Sequence, residues 1–168
     1  MLYNNDKSKT SALPCAYCRS SLGWVEPEIV KGKPKTYKIP GVLDNKKIYK
    51  LFIENSNELE YFLVENRQQV GFDSKLPTSG LLIWHIDERS CLYKNNDIDH
   101  LFLTLEQADG LKELETDYCH LDDEEQEKVE DSIMCGNKGD VFVTLTRHLM
   151  INPIHAAFQG MVKKQGYQ

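Results

Sequence analysis

No apolar run in this 168-residue chain reaches the length needed to cross a membrane as a helix. Positive charge is also in short supply: 20 Lys and Arg stand against 26 Asp and Glu, a formal net charge of -6. That balance argues against a nucleic-acid or anionic-membrane partner, because both select a basic surface. The first ten residues are polar and hold no apolar signal core, so the chain as written is expected to stay in the cytoplasm. Its five cysteines are an odd number and cannot form a complete disulfide framework. The five histidines, His85, His100, His120, His148 and His155, include no two that stand four apart. This excludes the His-Glu-x-x-His helix, in which two histidines one turn apart hold zinc and the glutamate activates a water. Neither a Gly-x-Ser-x-Gly elbow nor a phosphate-binding glycine loop occurs.

What is present is globular material. A hydrophobic fraction of 40% and a charged fraction of 27% are ordinary for a folded domain and unlike a disordered chain. The length gives room for one domain with a real core.

The strongest pattern runs from Glu60 to Asp87. Two apolar runs of strand length, Tyr61 to Val64 and Leu81 to Ile86, flank a loop holding Gly71, Asp73, Pro77, Ser79 and Gly80. Side chains two apart on a strand share a face, so Leu81, Ile83, His85 and Asp87 point one way and Leu82, Trp84 and Ile86 the other. Both faces are apolar at the start, which predicts a central strand covered on both sides. His85 and Asp87 are then expected to emerge together where the strand leaves the core, with Glu60, Glu65 and Arg67 at the rim.

Around this pair the chain reads as mainly β (α+β): antiparallel strands in a sheet or sandwich, a short N-terminal helix and an irregular acidic C-terminal part. Ser11 to Trp24 reads as the helix, with Ala12, Cys15, Cys18, Ser21 and Leu22 near one face and Gly23 just past its end. Tyr37 to Ile39, Ile48 to Ile53 and Leu101 to Leu105 are further strand candidates. Gly110 suits a backbone of positive φ. Leu111 to Asp131 is strongly acidic and reads as a solvated loop or exposed helix face. In the tail, Leu145, Leu149, Met150 and Ile154 cluster as a short helix would require. The divisions expected are 1–26, a helix segment; 27–142, a β domain; and 143–168, a tail.

Glu-Tyr-Phe-Leu-Val-Glu-Asn-Arg-Gln at 60–68, Gly-Phe-Asp at 71–73 and Ser-Gly-Leu-Leu-Ile-Trp-His-Ile-Asp-Glu at 79–88 form a long, ordered match. Together they resemble the immune inhibitor A family of zinc metallopeptidases, metallopeptidase family six. Ala-Tyr-Cys-Arg-Ser-Ser-Leu-Gly-Trp at 16–24 is similar to the segment that closes that family's catalytic domain. Glu106, Asp109 and Gly110 match its Glu-x-Ala-Asp-Gly turn, and Gly136 to Asp140 is similar to its Gly-Asp segment. The resemblance spans about residues 15–142 and stops after Phe142. It implies a secreted protease, zinc in the full-length family, frequent bound calcium, and a catalytic domain as the missing partner. The matched portion lies downstream of the zinc site, so the expectation is a β portion separated from its catalytic half and inactive by itself.

Two metal readings stand beside this. Asn95, Asp97 and Asp99 alternate, and Glu106 occupies the twelfth position counted from Asn95, as in a calcium loop. His100 replaces the glycine expected at the sixth position, which argues against an EF-hand. A looser calcium site from the same oxygens, joined by His85 and Asp87, is the remaining metal candidate, and it supports an alternative: a stand-alone calcium-stabilised β binding module. A second alternative is a zinc-binding protein using Cys15-Ala-Tyr-Cys18 with Cys119-His120. A single C-x-x-C without a Gly-rich turn is the weaker signal.

Overall fold

The computed structural model describes residues 12–31, 36–53, 56–90, 101–111, 114, 138–142 and the backbone of 148–150. The chain is mainly β. Strands β1 (Glu28–Ile29), β2 (Thr36–Lys38), β3 (Tyr49–Phe52), β4 (Glu60–Arg67), β5 (Gly80–Asp87), β6 (Leu103–Leu105) and β7 (His148–Met150) follow one short helix, α1 (Ala16–Ser21). A five-stranded sheet has the order β1-β3-β4-β5-β6, and β2 and β7 form a two-stranded sheet.

The two longest strands follow directly from the apolar runs. β4 and β5 pair antiparallel from Glu60↔Asp87 to Arg67↔Gly80, and all eight residues of each are buried. Their connection contains a 3-10 turn at Gly71–Asp73. The period-two alternation sends Phe62, Val64, Leu81 and Ile83 into one core with Tyr49 and Leu51. It sends Tyr61, Leu63, Leu82, Trp84 and Ile86 into a second core with Ala16. The strand covered on both faces is therefore present as expected.

Three features differ from the sequence reading. The sheet is mixed, because β1 runs parallel to β3, pairing Glu28 with Tyr49. Residues 148–150 are a strand paired antiparallel with β2, where the apolar spacing favoured a helix. The buried side of α1 is Ala16 and Arg19, and Cys18 is exposed, so the face is turned from the one expected. The loop holding Asn95, Asp97 and Asp99, and the acidic stretch beyond Leu114, lie outside the described residues.

Helix α1 ends as its sequence requires. Gly23 has φ 71°, Trp24 N–H donates to Arg19 O at 2.9 Å and Gly23 N–H to Ser20 O at 2.9 Å. That double closure needs a left-handed residue, which glycine adopts without steric cost. Gly110, at φ 71°, takes the expected positive value. Leu22 and Trp24, at 60% and 54% exposure, leave an apolar face at the end of the helix.

On the β6 side of β5 the chain is completed in three pieces. β6 pairs with Trp84 to Ile86, Glu106 N–H donates to Ile83 O, and Leu81 exchanges two backbone bonds with Phe142. This brings residues 141–142 hard against Gly80. A Cβ on Gly80 would lie 2.5 Å from Val141 Cγ1 and 2.8 Å from Phe142 O. Replacing Gly80 by Ala is expected to cost about 1–3 kcal/mol of stability, the range for overpacking a fixed core. Urea unfolding measures it, and an unchanged midpoint would contradict the close approach.

Candidate functional site

The residues that draw attention are charged and buried. Sequence reasoning puts Glu65 and Arg67 at a rim; the structure buries both, with Arg67 at 1% and Glu65 at 0% exposure. Both follow Tyr61 and Leu63 on the odd face of β4, toward α1. An ion removed from water loses several kcal/mol of hydration, so such groups persist only when fully paired.

Arg67 is fully paired. Its Nε donates to Asp73 Oδ2 at 2.7 Å and its Nη2 to Asp73 Oδ1 at 2.6 Å, a two-pronged pair. Nη2 also donates to Leu13 O at 3.0 Å, and Nη1 to Pro14 O at 3.4 Å and to Glu65 Oε1 at 3.5 Å. A guanidinium has five N–H donors, and here five acceptors meet them. Burial alone would lower the Arg67 guanidinium; the Glu65 and Asp73 carboxylates outweigh it and hold it above its usual range.

Glu65 joins three elements. Its Oε2 accepts from Arg19 Nη2 on α1, and its Oε1 accepts from Trp84 Nε1 on β5 at 2.8 Å. Arg19 Nε donates to Pro14 O at 3.1 Å, and Leu13 N–H donates to Asp73 Oδ1 at 3.0 Å. Two arginines thus face two carboxylates with no net charge. The chain's own groups occupy these acceptors, which makes the cluster a brace between helix, hairpin and loop.

A second cluster lies on the opposite face, at the other end of the hairpin. His85 and Asp87 are expected to emerge from the core; instead His85 is 3% exposed and Asp87 0%. Strand β6 and the cross-strand neighbour Phe62 cover them, with the Phe62 ring 5.1 Å from the His85 ring. His85 Nε2 lies 3.0 Å from Glu60 Oε1, and its Nδ1 lies 4.0 Å from Glu106 Oε1. Asp87 turns to Arg89, whose Nε and Nη2 each donate to it at 2.9 Å. Arg89 also donates to Glu60 Oε2. The hydrogen bonds to Asp87 raise the Arg89 guanidinium above its usual range.

Of the calcium candidates, His85, Asp87 and Glu106 fall in one region, but His85 and Asp87 face different partners. Asn95, Asp97 and Asp99 lie outside the described residues. Among the described residues no group of three or more His, Cys, Asp or Glu is arranged to hold a metal ion. The sequence reading places Asp73 in the loop and Arg19 in the helix but gives neither of them, nor Arg89, a role. Period-two placement of Glu65 and Arg67 inside a buried strand is the signal that would have demanded partners for them. No family model, curated protein or solved structure matches this chain.

Asp73→Ala would leave Arg67 buried with two of its five acceptors gone. The expected loss is about 3–5 kcal/mol, as for other broken buried pairs. The double variant Arg67→Met with Asp73→Ala should lose less than Asp73→Ala alone. Chemical denaturation checks both, and a loss below about 1 kcal/mol for Asp73→Ala, the scale of an exposed pair, would contradict the brace.

Proposed function

We propose that this chain is the β-rich portion that follows the catalytic core of an immune inhibitor A-like metallopeptidase, and that it does not cleave peptides alone. One observation carries the reading: the separately matched segments meet one another in space. Residues 60–67 and 80–87 pair strand to strand. Arg19, from the matched segment at 16–24, bonds Glu65. The turn at 106–110 donates through Ala108 and Asp109 N–H to Asp140 and Gly139 carbonyls, 3.2 and 3.1 Å away. An ordered match whose parts form one bonded frame is what a shared scaffold would produce.

On this reading the family's zinc chemistry belongs to a His-Glu-x-x-His helix that this sequence does not contain. The partner is the catalytic domain, met by the exposed Leu22 and Trp24 at the end of α1, and the protein acts outside the cell. Purified chain, incubated with a broad peptide mixture and zinc, is expected to give no cleavage; robust chelator-sensitive cleavage would overturn the proposal. A His-Glu-x-x-His coding stretch in the adjoining DNA would support the family reading, and unrelated DNA there would weaken it.

A second reading, a calcium-stabilised β binding module, draws on the charge near His85. Glu60 and Asp87 pair with Arg89 there, and Glu106 Oε1 lies 4.0 Å from His85 Nδ1, so carboxylate oxygens of the kind calcium takes gather in one region. Calcium at about a hundred times its Kd would add about 2.7 kcal/mol to stability. A thermal scan with and without calcium tests the module, since an unchanged Tm rules it out.

A further inference from the structure

The C-x-x-C pair stands outside both readings. Cys15 is the N-cap of α1, with extended backbone at φ -61° and ψ 165°, and its sulfur accepts from Cys18 N–H at 3.4 Å. Cys18 lies three residues on, in the first helical turn. Helical geometry puts such Cα atoms about 5 Å apart. That falls inside the span a disulfide bridges, about 4.4–6.8 Å, so closure requires side-chain rotation and little backbone movement. Cys18 is exposed and Cys15 is half-buried, and both are free thiols.

Burial, joined by the contact with the Cys18 thiol and opposed by the pull of Cys18 N–H, pushes the Cys15 thiol from its usual 9.0 up to about 11. Cys15 is therefore protonated at neutral pH, and the thiol open to solvent is its neighbour. The two differ in access as the two members of an exchanging dithiol must. Zinc is the competing use of the motif. It requires further ligands, and among the described residues no third His, Cys, Asp or Glu joins the pair.

We propose that Cys15 and Cys18 form a reversible dithiol–disulfide couple, with Cys18 the thiol that meets the oxidant. The oxidant is a small-molecule disulfide such as oxidised glutathione. The Cys18 thiolate attacks one of its sulfurs, the glutathione S–S bond breaks, and one glutathione thiolate leaves. Cys15 sulfur then attacks Cys18 Sγ, its proton passes to solvent, and the second glutathione thiolate leaves and is protonated. Two protein thiols are oxidised and one glutathione disulfide is reduced to two thiols. The closed ring staples the first turn of the helix that carries Arg19.

Trypsin isolates the pair, because the peptide 10–19, between Lys9 and Ser20, holds Cys15 and Cys18 and no other cysteine. The whole protein is equilibrated in glutathione buffers of varied ratio, quenched with an alkylating reagent, digested and weighed. Both thiols should disappear together. Their oxidised-to-reduced ratio should shift about tenfold for each tenfold change in the ratio of squared reduced to oxidised glutathione, the behaviour of a two-electron couple. Cys15→Ser should trap glutathione on Cys18, and Cys18→Ser should leave Cys15 largely unmodified. Independent alkylation of the two thiols in the most oxidising buffer would overturn the proposal. So would equal glutathione uptake by Cys15 in Cys18→Ser, or protection of both thiols by zinc with no response to the buffer.

Discussion

A carboxylate with no exposure to water stands between the helix and the sheet. Glu65 accepts from Arg19, Arg67 and Trp84, which belong to α1, β4 and β5. Arg19 is 46 residues away in sequence, so the bond fixes a tertiary arrangement that no local preference supplies. Removing one partner of such a set leaves an uncompensated buried ion, which is far more costly than losing a surface pair. The position of the short helix, the course of the 13–14 segment and the loop through Asp73 all follow from satisfying these charges. The helix has only six residues, too few to be stable by propensity alone.

The hairpin itself rests on simpler physics. Its two strands are buried along their whole length, with a separate apolar cluster on each face. Charge enters at opposite ends and on opposite faces, Glu60 with His85 and Arg89 at one, Glu65 with Arg67 and Asp73 at the other. Each carboxylate is met by an arginine from an adjacent element. The residues that carry the family resemblance are in large part these same residues. A scaffold role accounts for their pattern without requiring them to touch a substrate.

Much of the sheet was legible because alternation of apolar side chains is visible in a single sequence. Tyr61 to Val64 and Leu81 to Ile86 announce buried strands, and Leu22-Gly23-Trp24 announces a helix end. Strand β1 was not legible: Glu28–Ile29 is two residues long and exposed, and its parallel partner lies beyond a Lys-rich connection. The side of α1 that turns inward was misread, because the pull on Arg19 comes from a strand 46 residues away. The depth of Glu65, Arg67, His85 and Asp87 was also missed. Charge at a strand end suggests a rim, and only the covering elements, α1 on one face and β6 beside β5, reveal that both ends are enclosed.

The central claim is that Arg19 and Glu65 act as one unit that locks the helix to the hairpin. A double-mutant cycle with Arg19→Met, Glu65→Gln and the combined variant, followed by chemical denaturation, measures their coupling directly. The account predicts a coupling of about 1–3 kcal/mol, as for residues sharing a buried network. Effects that add to within about 0.5 kcal/mol would mean independent sites, and would contradict it.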